Sequence, residues 1–162
     1  MVSLVRLVTE VDIDDRTSSS EVLNAPMLDG PASEGAEPAM APGSPQPGSS
    51  DPCAMSLSAM HLAVLDDGRR VPLLGDRGWT ASGPADIWRR TSVEEVEADA
   101  RMVVGPDEPY GSLSQAATES SHWADLAGRL RQHGVTVTAE ELSRLPHDIE
   151  LSDRLLIRIS GT

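Results

Sequence analysis

Residues 61–74, HLAVLDDGRRVPLL, contain two apolar runs separated by Asp67 and Gly68. An Asp-Gly dipeptide between such runs favours a β-hairpin, because both central residues of a type I′ turn need positive φ. A two-residue loop at this point sets three cross-strand pairs: Val64 with Val71, Leu62 with Leu73, and Asp66 with Arg69. Pro72 has no N–H to donate, so the second strand should be an edge strand or pair on one side only.

The sequence before this hairpin has a different composition. Residues 24–52 are rich in Pro, Gly and Ser and contain few large apolar side chains, so they cannot bury enough surface to offset the entropy of ordering. We therefore expect residues 1–59 to be a disordered tail and residues 60–162 to form one small domain. Met60 is then an alternative start of the working protein. The competing interpretation is that the apolar segment 3–11 packs on the domain as an extra strand.

Three helices are predicted after the hairpin. Each begins at a Ser or Thr that can cap the first turn, and each ends at a glycine or proline signal. Their approximate limits are Ser92 to Gly105, Ser114 to His133, and Thr138 to Pro146. The spacing also predicts one buried face on each of the first two helices.

The last segment, residues 152–159, fits two structures. Apolar residues alternate from Leu155 to Ile159 as in a strand, whereas Ser152 as cap and Gly161 past the end favour a short helix. A strand here could join the hairpin in a three-stranded sheet. The fold class is therefore α+β, with an N-terminal β-hairpin followed by three or four helices.

The charge of the chain limits its partners. Its 13 basic residues are all arginines, and the net charge is −13. Because the arginines cluster only as the pairs Arg69-Arg70 and Arg89-Arg90, we expect no nucleic acid as a partner. A protein partner, including a basic one, is compatible with this charge. The absence of lysine excludes a Schiff-base or P-loop lysine.

Cysteine usage and hydropathy point to the cytoplasm. Cys53 is the only cysteine, so the chain has no disulfide framework and no cysteine metal site. No apolar run reaches the length of a membrane span. The N-terminal residues are moderately apolar but are interrupted by Arg6 and Glu10, and they lack the features of a signal peptide. We expect a cytoplasmic protein without a membrane partner.

A metal site is the main chemical alternative. Glu119 and His122 have the i,i+3 spacing of carboxylate-bridged metal centres, and His147 is a candidate further ligand. The same pair is also typical of a solvated helix flank. No nucleophile elbow or other catalytic constellation is present. We therefore expect no cofactor and no catalytic residue, and keep a metal-dependent or small-molecule-processing enzyme as the alternative.

The scarce aromatic residues give the leading hypothesis. Trp79 and Trp88 lie in stretches flanked by Gly and Pro, where an exposed tryptophan would mark a recognition surface. Arg89 and Arg90 would lie at its edge. The competing interpretation is that both tryptophans pack over the hairpin as core. The sequence thus indicates a small protein-binding or regulatory module.

Overall fold

The computed structural model describes residues 2–16 and 53–161, which fold as a mixed α+β structure. This part of the chain forms four strands: β1 (Leu4–Ile13), β2 (Cys53–Leu65), β3 (Arg70–Gly83) and β4 (His147–Leu151). It also forms five helices: α1 (Ile87–Arg90), α2 (Val93–Val104), α3 (Gln115–Gln132), α4 (Ala139–Ser143) and α5 (Asp153–Ser160).

The strands form one sheet in the order β3-β2-β1-β4. β1 pairs antiparallel with β2 and parallel with β4, while β2 and β3 form the predicted hairpin. Val11 illustrates the central position of β1, because it pairs with Ala59 on one side and with Leu151 on the other. β3 lies at the edge of the sheet, as Pro72 predicted.

The predicted boundary at residue 60 is wrong for the described residues. Residues 4–13 form one of the two inner strands, and β2 already begins at Cys53. Arg6 and Glu10 looked like interruptions of an apolar segment, but they occupy outward positions of a strand whose inward positions include Leu7 and Val11. The whole Pro-rich stretch 24–52, with its predicted disorder, lies outside the described residues.

The hairpin turn contains three residues rather than the predicted two. The Leu65 N–H donates to the Arg69 carbonyl over 2.9 Å, so Asp66, Asp67 and Gly68 form the loop. Gly68 has φ of 83°, as three-residue hairpins with a left-handed glycine require. The extra residue shifts the register and turns Ala63 and Leu65 toward the helices, instead of the predicted Leu62 and Val64.

The predicted helix starts are confirmed. Ser92 and Thr138 each form a complete capping box, and the Ser114 and Ser152 hydroxyls accept backbone N–H groups at the starts of α3 and α5. Residues 153–160 are therefore helical, and Gly161 ends α5 in the left-handed conformation. Two elements were missed: β4, whose first residues had the appearance of a polar loop, and the short α1.

Two buried clusters lie between the sheet and the helices. One contains Leu7 and Val71 from the sheet with Leu126 and Leu130 from α3. The other surrounds Val11 and is formed by the following helix and strand residues: Met55, Leu57, Val96, Ala100, Leu155 and Ile159. α5 therefore packs against the end of β1, close to the place where β3 leads into α1.

The sheet face turned away from these clusters carries ion pairs that join its strands. Arg6 of β1 contacts Asp148 of β4 over 2.7 Å. Arg70 of β3 contacts Glu10 of β1 over 2.5 Å and donates two hydrogen bonds to Glu150 of β4. These contacts account for the polar side chains that alternate with apolar ones along β1 and β4.

Candidate functional site

A groove between α1 and α5 holds two of the four residues that the sequence singled out for recognition. α1 turns back onto the end of the sheet directly after β3. Gly83 lets Ile87 pack closely at this return, because a Cβ there would lie 2.9 Å from the Cδ1 atom of Ile87. The Ile87 side chain packs against the Val11 cluster, so Trp88 and Arg89 are held on a fixed turn of helix.

α5 is anchored at its first turn. The Ser152 hydroxyl donates to Asp12 over 2.5 Å, and the Arg154 guanidinium contacts Asp12 and Asp15. The hydrogen bond from Arg154 holds the pKa of Asp12 below its usual range. These contacts fix the helix start against the end of β1, so the exposed face of α5 has a defined position relative to α1.

The groove has a volume of about 560 Å³ and an aromatic wall. The guanidinium of Arg158 lies 5.5 Å from the centre of the Trp88 ring, within the range of a cation–π contact. Ile157 lies in the same groove with 59% of its surface exposed. The groove therefore combines one large aromatic ring, one exposed aliphatic side chain and arginines.

The local charge of the groove is positive. Asp86 contacts Arg90 over 2.8 Å, which neutralises both groups. Arg89 and Arg158 have no carboxylate partner among the described residues. Arg89 lies against Gly161 at the end of α5, where the helix dipole stabilises a positive charge. Two guanidinium groups thus face the groove without an ion pair to a described carboxylate, and Asp86, which also lines the groove, is paired with Arg90.

Three of the four predicted recognition residues lie in or beside the groove, and the fourth lies elsewhere. Trp88 and Arg89 line the groove, and Arg90 lies beside it in its ion pair with Asp86. Trp79 is on β3 rather than in a loop, and it packs against both buried clusters. Ile157 and Arg158 were missed, although an amphipathic helix over 152–159 would have placed them away from its buried residues.

The predicted metal ligands lie in separate places. Glu119 accepts a hydrogen bond from Gln115 on the exposed side of α3. His122 lies further along α3 and faces β3, whereas His147 is part of β4. No group of three or more His, Cys, Asp or Glu side chains within residues 2–16 and 53–161 could hold a metal ion.

Three polar side chains form a cluster inside the sheet layer that sequence reasoning did not anticipate. The Thr9 hydroxyl lies 2.8 Å from His61 Nδ1 and 2.8 Å from His147 Nε2. A hydroxyl has a single proton, so one ring must donate to Thr9 while the other accepts from it. The two rings also meet edge to face, with centroids 4.9 Å apart.

Burial keeps both histidines of this cluster neutral. Burial, with a smaller effect from the positive charges that His147 and His122 would carry, lowers the pKa of His61 to about 3. Burial also lowers the pKa of His147, and nearby Arg101 acts in the same direction, while Asp148 opposes both. Thr9 and His61 are almost fully buried. The cluster therefore joins β1, β2 and β4, with Thr9 and His61 closed to a substrate.

Comparisons with protein-family models, curated proteins and solved structures find no match for this chain. Among the described residues, no helix is both long and apolar enough to cross a membrane. The function must therefore be inferred from the arrangement of side chains, and the α1–α5 groove is the arrangement that suggests recognition.

Proposed function

We propose that this protein is a binding module that holds an acidic segment of a partner protein in the α1–α5 groove. The observation that carries the proposal is the position of Arg89 and Arg158 beside Trp88. The chain has twice as many acidic as basic residues, yet these two arginines face the groove without an ion pair to any carboxylate of the described residues. Carboxylates of a partner would satisfy them.

The side chains of the groove suit peptide recognition. Tryptophan and arginine are the residues that most often dominate binding energy at protein interfaces. A guanidinium binds a carboxylate through two parallel hydrogen bonds, and Trp88 and Ile157 can cover one apolar side chain of the partner. The expected ligand is therefore an extended segment with a large aliphatic or aromatic residue flanked by Asp or Glu.

This proposal changes the expected charge of the partner. The net charge of −13 is compatible with a basic partner, but the groove itself presents two free positive groups. At physiological ionic strength, charges more than about 8 Å away are largely screened. Arg89 and Arg158 therefore determine which charge the groove prefers to bind. The net charge of the chain mainly slows the approach of an acidic partner.

Fluorescence anisotropy with defined peptides tests the proposal. We expect a labelled peptide with one leucine flanked by glutamates to bind, and its lysine-flanked counterpart to bind at least about tenfold more weakly. Arg158→Glu should weaken binding of the acidic peptide by a similar factor. Arg131→Glu, on the exposed surface of α3, is the matched control and should leave binding unchanged.

Equal affinity for the two peptides would contradict the proposal. An equal loss of affinity for the acidic peptide in Arg158→Glu and Arg131→Glu would also contradict it. Tighter binding of the lysine-flanked peptide would support the basic partner considered from the net charge. Each variant is first compared with the wild type by circular dichroism, so that a folding defect is not counted as lost binding.

A further inference from the structure

A second groove, of about 290 Å³, lies between β3 and α3, with walls formed by different residues from those of the α1–α5 groove. Its apolar side is formed by Leu74 of β3 with Ala117 and Leu126 of α3. Leu113, which precedes α3, is 57% exposed at the same groove. The volume lies near the lower limit for ligand pockets, so an occupant would be small.

Two of the charged groups that line this groove are not used by the fold as ion pairs. Asp125 and Arg129 are one helical turn apart, a spacing at which opposite charges normally pair. Arg129 instead donates to the Leu73 carbonyl over 2.9 Å. Asp125 has no hydrogen bond or ion pair with any described residue. One carboxylate and one guanidinium therefore face the same small space separately.

The other charged pair in the groove is already neutralised. Arg77 donates to Asp107 over 2.8 Å, so neither group presents an uncompensated charge to a ligand. Asp125 and Arg129 together favour a ligand that carries both a positive and a negative group. A simple anion would leave Asp125 unpaired, and a simple cation would leave Arg129 without a counter-charge.

His122 provides a further polar contact inside this groove. Its Nε2 atom is buried and has no hydrogen-bond partner among the described residues. Burial lowers the pKa of His122, and Arg77 acts in the same direction against Asp107 and Asp125, so the ring is neutral near pH 7. A buried ring nitrogen without a partner is destabilising, and a ligand that reaches it would relieve this.

We propose that the β3–α3 groove binds a free amino acid with an apolar side chain. The ammonium group would contact Asp125, the carboxylate would contact Arg129, and the side chain would cover the exposed Leu113. This site is independent of the peptide groove, because the two share no lining residue. The protein would then bind two ligands of different chemistry on different faces.

Nuclear magnetic resonance of the histidine rings in the full-length protein tests this site. We expect leucine to shift the ring signals of His122 and to leave those of His133, at the end of α3, unchanged. N-acetyl-leucine lacks the ammonium group and leucinamide lacks the carboxylate, so each should bind at least about tenfold more weakly. Glycine lacks the apolar side chain and should produce no measurable shift.

Two variants with matched controls on α3 connect the binding to the proposed contacts. Asp125→Asn and Arg129→Gln should each weaken leucine binding about tenfold or more. Glu119→Gln and Arg131→Gln should not change it. Asp125 makes no contact that the fold needs, so Asp125→Asn remains informative even if Arg129→Gln disturbs the bond to Leu73. The proposal is overturned if leucine leaves His122 unshifted up to its solubility limit, or if N-acetyl-leucine and leucinamide bind as well as leucine.

Discussion

The Thr9 hydroxyl lies 2.8 Å from the Nε2 atom of His147, and this contact joins two parts of the chain that are 138 positions apart. Thr9 belongs to the segment expected to be a tail, and His147 was considered as a candidate metal ligand. They lie on neighbouring strands of one sheet, β1 inside the sheet and β4 at its edge. The polar contact therefore depends on the same β1–β4 pairing that defines the fold.

Replacing Thr9 tests whether its hydroxyl holds the two histidines together. Thr9→Val keeps the shape of the side chain but leaves His61 Nδ1 and His147 Nε2 without a partner. Each unsatisfied buried polar group costs about 1–3 kcal/mol, so we expect a loss of about 2–4 kcal/mol in the free energy of unfolding. Thr9→Ser keeps the hydroxyl and should lose at most about 1 kcal/mol. Urea denaturation measures both, and equal losses would show that the hydroxyl is unimportant.

The lowered pKa of His61 predicts destabilisation in acid. The folded state keeps His61 neutral down to about pH 3, whereas the unfolded chain protonates it near its ordinary value of 6.5. Between these values the unfolded state binds more protons, so the stability contribution is complete above pH 6.5 and falls as the pH decreases. We expect this group alone to remove about 2 kcal/mol between pH 7 and pH 5.

Urea denaturation at the two pH values, with His61→Leu as the variant, isolates this contribution. The variant should lose less stability than the wild type on acidification, by about 2 kcal/mol. His133→Leu, which replaces an exposed histidine, is the control and should behave like the wild type. An identical pH dependence for His61→Leu and the wild type would show that His61 does not titrate as proposed.

A charge placed on β1 tests whether residues before Met60 belong to the folded unit. Val11 is 1% exposed in the middle of β1, whereas Val5 on the same strand is 48% exposed. We expect Val11→Asp to destabilise the protein by more than about 4 kcal/mol, because an unpaired carboxylate would be buried. Val5→Asp should change stability by at most about 0.5 kcal/mol. Thermal melts with the same small change for both variants would restore the interpretation of residues 1–59 as a tail.

The two candidate recognition tryptophans should respond differently to truncation. Trp79 packs against both buried clusters, so Trp79→Ala should cost about 3 kcal/mol or more. Trp88 packs against the Val11 cluster on one side and lines the groove on the other, so Trp88→Ala should cost less than Trp79→Ala while abolishing binding of the acidic peptide. Chemical denaturation and peptide anisotropy measure the two effects. A larger stability loss at Trp88 than at Trp79 would assign Trp88 to the core.

Local signals in the sequence predicted the elements that depend on neighbouring residues. Ser92 and Thr138 mark helix starts because a capping box involves only four consecutive residues. Gly68 and Pro72 likewise identified the hairpin and its edge strand. The turn length was wrong because Asp67-Gly68 also suits a three-residue loop with glycine in its last position, and one extra residue reverses which side chains face the core.

Contacts between distant parts of the chain could not be predicted in the same way. β1 is followed by residues 14–52 before its antiparallel partner begins, and no local pattern indicates which strand it joins. Trp88 and Arg89 were found because tryptophan and arginine are conspicuous in this composition. Their neighbours Ile157 and Arg158 become part of the groove only when α5 packs beside α1, which is a tertiary relationship.

The central claim is that Trp88 forms part of a binding surface for acidic peptides, and the indole N–H signals of the three tryptophans test it most directly. We assign the Trp88 signal with Trp88→Phe and titrate the ¹⁵N-labelled full-length protein with the glutamate-flanked leucine peptide. The proposal predicts that the Trp88 signal shifts in a saturable manner while those of Trp79 and Trp123 stay in place. An unchanged Trp88 signal at saturating peptide, or equal shifts of all three signals, would contradict it.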